Sequence, residues 1–459
     1  MSKRASIPAP AAAAAAGHPV VERVRHHLGW HIAHLLGSMK LAVVLLVLLA
    51  MLTWLGTLAQ IDRSTFDVQR EYFESWFVIA KLPLSVWGNS LFTLRIPLPG
   101  AYPVMSLLFV NLLVGGMLRL RLRWRNTGVL ITHLGIAFLL VAGFVKMHYS
   151  FSGSLALYET PADGNKLEQR VYQSSKFVSF HDYELVLMRE VGDSIEERVV
   201  PESSLWPARD GKSVTLRTPD LPFTVQVHHW MDFCRALPKG PMVAAATPVV
   251  DGAFLKPESW PEGEQPRSEA EIAGCYVTVL GNGLGNGLGS GLGSGANGAA
   301  AERVDGILWG MPLLPHDRES YPFTFTMQGV RWGLDLRHVV FDLPYSVRLD
   351  KFQKLDHPGT MTPRDFRSFV TVDAGGQERA AQIFMNNPLR KDGYVVYQTN
   401  WGPQPRGGPP WYSVFEVSYN PSDMWPAIAC GVIALGLLVH FLLKLYGFLQ
   451  SSTRTSLSS

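Results

Sequence analysis

The chain has 459 residues, with 41 Lys and Arg against 38 Asp and Glu, for a formal net charge of +3. That near-balance gives no reason to expect a nucleic-acid partner. Its three cysteines include no CxxC and no CxxCH, which excludes a common thiol–disulfide oxidoreductase and a covalent c-type haem carrier.

Residues 1–37 read as a cytoplasmic N-terminal segment. The Ala-rich run Ala11–Ala16 is short, far from the first apolar stretch and without a following cleavage site, so a cleavable signal is not expected. His26, His27, His31 and His34 then crowd the approach to the membrane. His31 and His34 share a helix face, and the expectation is an interfacial helix without metal.

Four stretches free of Asp, Glu, Lys and Arg are long enough to span a bilayer: Leu41–Ile61, Ile96–Leu118, Asn126–Val145 and Met424–Leu443. A hydrocarbon core needs ~20 apolar residues of helix. Residues 38–146 therefore read as a three-helix membrane region, with a loop at 62–100 and a basic turn at 119–125. Residues 424–449 read as a fourth span and 450–459 as a tail. Basic residues gather on the cytoplasmic side. Lys3, Arg4, Arg23, Arg25 and Lys40 precede span one, Arg119, Arg121, Arg123 and Arg125 fill the turn, and Lys444 and Arg454 follow span four. The loop at 62–100 is balanced. Both termini are thus expected in the cytoplasm, and the loop and the domain at 147–423 outside.

Inside span three stands His133. An ionisable group in hydrocarbon must be hydrogen-bonded, face a cavity or bind something. It lies eight residues past Arg125, ~12 Å into the membrane at ~1.5 Å per residue. A neutral imidazole is a ligand for metals and haem iron; hydrogen bonding to a helix carbonyl is the other reading. Gly135 and Gly143 permit close helix approach around it under either reading.

Residues 147–423 read as β-rich. Period-two patterns recur at Phe177–Met188, Ser213–Arg217, Phe223–Val227, Tyr276–Leu280, Phe323–Met327, Ser346–Phe352, Phe369–Val372, Ala381–Met385, Tyr394–Tyr397 and Tyr412–Val417. An antiparallel sandwich or open barrel follows, an all-β domain outside the membrane. The middle, about 238–300, turns rich in Pro, Glu and Gly and contains the run GNGLGNGLGSGLGSG. It reads as a flexible insertion without chemistry. Cys234 and Cys275 leave one disulfide open. GxSxG, HExxH and the P-loop are absent, and His228, His229, His316, His338 and His357 lack ligand spacing. Each reads as a surface or strand residue.

In span four, His440 lies four residues before Lys444, ~6 Å from the span's end. Snorkelling toward the interface accounts for it, although a bis-histidine site with His133 is geometrically open.

The order of parts, three spans, a large domain and a last span, resembles the ResB (CcsB) family of system II cytochrome c biogenesis proteins. The likeness runs from about Leu35 to Gly447. It is carried by SMKLAVVLLVLLAMLTWLGTLAQ (Ser38–Gln60), EYFESWF (Glu71–Phe77), IPLPG (Ile96–Gly100), NLL (Asn111–Leu113) and FSGSLALYE (Phe151–Glu159). VRLDKF (Val347–Phe352), HPGT (His357–Thr360), DFRSFVTV (Asp365–Val372) and, above all, IFMNNPLRKDGYVVYQTNW (Ile383–Trp401) complete it. The resemblance implies that His133 is an axial ligand of haem b, held transiently and shared with a CcsA (ResC)-like haem-handling partner. It implies apocytochrome c, with its CxxCH, as client, a thioredoxin-like thiol reductase as a further partner, and the bacterial inner membrane as location. The partner's Trp-rich WWD-type motif is absent here. The chain is then an accessory subunit of a cytochrome c synthetase (haem lyase) complex, without a complete active site. The alternatives are a membrane b-type cytochrome using His133 and His440, and a cofactor-free assembly factor.

Overall fold

The computed structural model describes residues 31–456, apart from 87–88, 119, 121–122, 163, 165, 168–169, 193, 219, 241–242, 244–247, 262, 282–302, 311–321 and 403–410. His26, His27, Arg119, Arg121, His316 and nearly all of the GNGLGNGLGSGLGSG run lie outside the described residues. The described chain divides into two compact units.

The first unit carries four helices long and apolar enough to cross a membrane: α1 (Met39–Ala59), α2 (Ala101–Asn111, continued by a π-helical stretch Leu112–Leu118), α3 (Thr127–Tyr149) and α4 (Trp425–Ser456). Three are N-terminal and one C-terminal, with the β-rich region between them, and the chain is a multi-pass membrane protein. Sequence reading started span two at Ile96; the helix starts at Ala101. Residues Asn89–Pro99 instead form β2, paired antiparallel with β1 (Phe77–Val86). The uncharged run continued through Ile96–Pro99, but Ile96 and Leu98 each precede a proline, which pushes their backbone from helix to extended, and Gly100 closes against the Ser75 backbone where a Cβ would clash.

Spans pack where side chains are smallest. A Cβ on Gly37 would stand 3.0 Å from the Gly115 Cα. One on Gly135 would meet Ile433 Cγ1 at 2.7 Å, and one on Gly436 would meet Thr132 Oγ1 at 2.5 Å. Gly128 lies against the backbone of His440. Gly128, Thr132 and Gly135 follow one another by four and three residues, so they form one stripe of α3 facing a stripe of α4. Without a hydrophobic driving force in lipid, such close backbone approach is what joins helices.

The second unit is all-antiparallel β. One sheet of ten strands runs β15 (Gln377–Phe384), β14 (Pro363–Ala374), β13 (Val330–Asp356), β4 (Gln173–Val191), β3 (Phe151–Tyr158), β18 (Tyr412–Tyr419), β17 (Tyr394–Gly402), β16 (Leu389–Lys391). To it are added β5 (Ser194–Pro201) on β4 and β12 (Phe323–Met327) on β13. A second sheet runs β11 (Arg303–Trp309), β10 (Gly274–Gly281), β7 (Phe223–Met231), β6 (Val214–Leu216), and a hairpin joins β8 (Cys234–Pro238) to β9 (Ala253–Pro257). Every period-two pattern read from the sequence overlaps one of these strands, with Ser213, Arg217 and Met385 just beyond the strand ends.

One core lies between the sheets: Leu185, Leu187, Leu334 and Leu336 from the large sheet meet Phe223, Val225, Val277 and Val279 from the small one. A second core gathers Leu157, Phe177, Val347, Leu349, Val370, Ile383, Val396 and Phe415. Each such side chain removed from water contributes ~1.5–3 kcal/mol. The segment expected as a flexible insertion is more ordered than its composition suggests. Pro238 ends β8, Ala253–Pro257 is β9, and β10 is a central strand of the small sheet. Leu255 and Tyr276 pack there with Cys234, which gives a Pro-rich stretch enough apolar burial to hold one conformation.

Candidate functional site

His133 is built into α3 by its own helix. Thr127 Oγ1 donates 2.8 Å to the Trp124 carbonyl at the helix start, and His133 Nδ1 lies 2.9 Å from the Val129 carbonyl one turn back. A carbonyl only accepts, so Nδ1 carries the proton and Nε2 keeps a bare lone pair. The ring is half-buried and lies on Gly116 of the π-helical stretch after α2. A Cβ on Gly116 would stand 2.9 Å from His133 Cδ2, 3.1 Å from Cγ and 3.2 Å from Nε2. Glycine there lets an imidazole rest on backbone. The stretch itself is an i→i+5 interruption of the kind that concentrates at functional sites. Its start is fixed by Asn111, 7% exposed, whose Nδ2 donates to the Leu36 carbonyl at 2.5 Å and the Ser38 carbonyl at 3.0 Å.

His440 sits elsewhere. Its backbone packs on Gly128, on the α3 stripe that faces α4, whereas the His133 ring faces Gly116 of the second span. The two histidines thus occupy different helix seams. Among the described residues, His440 Nδ1 is buried without a hydrogen-bond partner, a polar atom that hydrocarbon cannot satisfy. His31 and His34 line an open depression with Ser38 and Lys40. Among the described residues, no group of three or more His, Cys, Asp or Glu is placed to hold a metal ion.

In the β unit, Cys234 and Cys275 are buried free thiols. Burial, with Asp232 and Glu258 nearby, pushes the Cys234 thiol up to about 12, and burial raises Cys275 as well. Neither is a ready nucleophile. His338 is 6% exposed with its ring 4.2 Å from that of Tyr183, a core position. His357 closes a turn through its backbone N–H to the Thr362 carbonyl at 3.0 Å. The motif NNPLRKDGY is a pair of tight turns. Asn386 has φ 60°, Asp392 φ 50° and Gly393 φ 82°, left-handed values that favour Asn, Asp and Gly. Arg390 pairs with Asp423. Nothing in the sequence signals Gly116, Asn111 stands out there only as part of a family-like stretch, and His228 and His229 of β7 read as surface or strand residues. Spacing rules look for motifs along one chain segment, and these residues act across segments or through a bulge.

Residues 324–408, the segment from β12 through β17, match the model of the ResB-like family. Protein NrfI of Wolinella succinogenes is 28% identical over 102 residues, which cover 22% of this chain and 11% of that relative. The chain thus matches about a tenth of that relative's length. The resemblance read from the sequence is borne out over this segment: across residues 324–408, which include the motif IFMNNPLRKDGYVVYQTNW, the chain is similar to the ResB-like family.

Proposed function

We propose that this protein is the ResB-type subunit of a cytochrome c biogenesis complex, and that His133 holds haem b for a CcsA/ResC-like partner. The observation that carries the reading is the state of His133. The Val129 carbonyl fixes the Nδ1–H tautomer, which satisfies one ring nitrogen and leaves Nε2 free to ligate iron. Such a bond from the other ring nitrogen is the usual way a ligating histidine is oriented. Haem, when bound, would supply the iron that His133 Nε2 holds. Gly116 keeps the ring's neighbourhood flat, and apolar span residues exclude water. The second ligand comes from the partner in this reading, because His440 lies on another seam. The β unit faces the outside of a bacterial inner membrane, with both chain termini in the cytoplasm. There it docks the partner and helps present apocytochrome c, whose CxxCH a thioredoxin-like thiol reductase keeps reduced. Thioether formation belongs to the partner, and this chain is an accessory subunit of the synthetase.

The test is co-purification with a CcsA-like partner. The wild-type complex is expected to retain haem, read from its Soret absorbance. His133→Ala is expected to lose it, with recovery on adding imidazole. Haem that survives His133→Ala and disappears with His440→Ala would overturn the assignment in favour of a b-type cytochrome. Complexes without haem in every form would favour a cofactor-free assembly factor.

A further inference from the structure

Neighbouring residues of a strand point to opposite faces. His228 and His229 of β7 break that rule. The β7–β10 ladder pairs Tyr276 with His228 and Gly274 with Met231, so His229 and Trp230 both stand opposite Cys275. This is a β-bulge, a feature that re-aims side chains and concentrates near functional sites. His229 also adopts φ 51°, a left-handed conformation uncommon outside glycine. Together they bring the two imidazoles to one side, with their Nδ1 atoms 2.7 Å apart. Tyr276, 1% exposed, fixes both rings. It stacks on His228 at 6.2 Å between centroids and meets His229 edge-on at 6.0 Å.

The hydrogen bonds behind the pair run in one direction. The Thr278 hydroxyl donates to Asp305 Oδ1 at 2.5 Å, since a carboxylate only accepts. The Thr278 oxygen then accepts from His228 Nε2 at 3.2 Å. With its proton on Nε2, neutral His228 has a bare Nδ1, and His229 Nδ1 supplies the one proton between the rings. The guanidinium of Arg303 holds Asp305 in place, with Nε and Nη2 each 3.1 Å from one of its oxygens. A histidine whose outer nitrogen is bare and whose other N–H runs through a hydroxyl to a carboxylate has the arrangement of an oriented metal ligand.

We propose that His228 and His229 form a two-imidazole site for a borderline divalent transition-metal ion, of the class of Cu²⁺, Ni²⁺ or Zn²⁺. The ion takes the place of the shared proton, which passes through solvent from His229 Nδ1 to Nε2 of the same ring, so that both imidazoles stay neutral and bind through Nδ1. At a metal–nitrogen distance of ~2.0–2.1 Å, a 2.7 Å separation subtends about 80°. Opening the pair by roughly half an ångström gives the wider angle that tetrahedral coordination prefers. Imidazole donors select this class over Ca²⁺ and Mg²⁺, which take oxygen. No third His, Cys, Asp or Glu joins the pair among the described residues, and His229 is exposed. The remaining coordination positions thus belong to water or to a ligand brought by another molecule.

The test uses the full chain in detergent without a polyhistidine tag. Cu²⁺ is titrated with electron paramagnetic resonance, and Zn²⁺ with calorimetry. Wild type is expected to bind one equivalent of Cu²⁺ with two nitrogen couplings at this site. His228→Gln and His229→Asn should each remove a nitrogen and weaken Zn²⁺ binding at least tenfold. Asn tolerates the left-handed backbone at 229, so the bulge survives, and an unchanged melting curve checks it. Thr278→Val should weaken binding ~10–100-fold by unseating His228. Nitrogen couplings and affinity that stay the same in His229→Asn overturn the proposal, as does a wild type that binds no ion.

Discussion

At the scale of single residues, the chemistry turns on which nitrogen carries a proton. At His133 the choice is made by the Val129 carbonyl, 2.9 Å away on the same helix. It is therefore insensitive to the partner and present before anything binds. The ring's position depends on a different atom, the hydrogen that Gly116 has in place of a side chain. Gly116→Val would put a branched Cβ 2.9 Å from His133 Cδ2, closer than Cβ atoms approach a neighbouring carbon. The ring must turn away, and haem retention by the co-purified complex should fall toward that of His133→Ala while the chain still inserts. Retention equal to wild type would mean that the Gly116 contact does not position the ligand. The thiols give a separate check. Thiolate, not thiol, reacts, and burial has pushed Cys234 up to about 12 and raised Cys275. In native protein at pH 8, both should be labelled by iodoacetamide far more slowly than after denaturation, read by mass spectrometry of their peptides.

At the scale of elements, α3 and α4 meet through positions where any side chain is too large. A Cβ on Gly128 collides with the His440 backbone, and one on Gly436 stands 2.5 Å from Thr132 N and Oγ1. Backbone cannot move aside as a flexible side chain can. Gly128→Ala should therefore destabilise by the ~1–3 kcal/mol typical of overpacking. Gly143 is the internal control. It is on the same helix with nothing within 4 Å of its would-be Cβ, so Gly143→Ala should be neutral or gain up to ~1 kcal/mol from helix propensity. Thermal unfolding in detergent separates them; equal melting of the two variants would remove the seam from the account. Element identity was legible wherever one solvent dictates one pattern. Lipid demands uncharged runs, and a half-buried sheet demands alternation, so the spans and the strands such as Phe323–Met327 could be read directly. The start of α2 could not, because Ile96–Pro99 is as apolar as a span and only its prolines argue against helix. Nor could the β8–β9 hairpin, whose order comes from packing with Tyr276, far along the chain. The convergence of His228 and His229 needed the bulge, which is a property of pairing with β10 and leaves no periodic trace.

At the scale of the whole molecule, the ResB-like segment contributes fold more than chemistry. Val347, Leu349, Val370, Val372, Ile383 and Val396 are among its buried residues, and its signature turns sit at left-handed backbone positions. That division explains why the stretch most recognisable in sequence contains no candidate ligand, whereas the candidate ligand lies in an ordinary-looking span. The β unit also carries a titratable group whose effect is global. His181 in β4 stacks on Phe66 at 3.6 Å between centroids, which docks the segment after α1 on the sheet. Burial lowers its pKa, and the nearby carboxylates Glu269, Asp182 and Asp67 offset only part of that. A histidine that binds protons less well when folded contributes stability that is full above its unfolded value of ~6.5 and is lost as pH falls from there toward its folded value. Burial raises Glu271 in the same neighbourhood, with the opposite sign: its contribution is present at acid pH and lost as pH rises through its folded value. The two act in opposite directions, so a wild-type melting profile alone does not isolate either. The difference between proteins does. Relative to His181→Gln, wild type should lose melting temperature as pH falls below ~6.5. Relative to Glu271→Gln, it should gain as pH falls toward the ordinary carboxylate range of ~4.3. Parallel profiles for wild type and His181→Gln would show that the Phe66–His181 stack stays closed whatever the proton does.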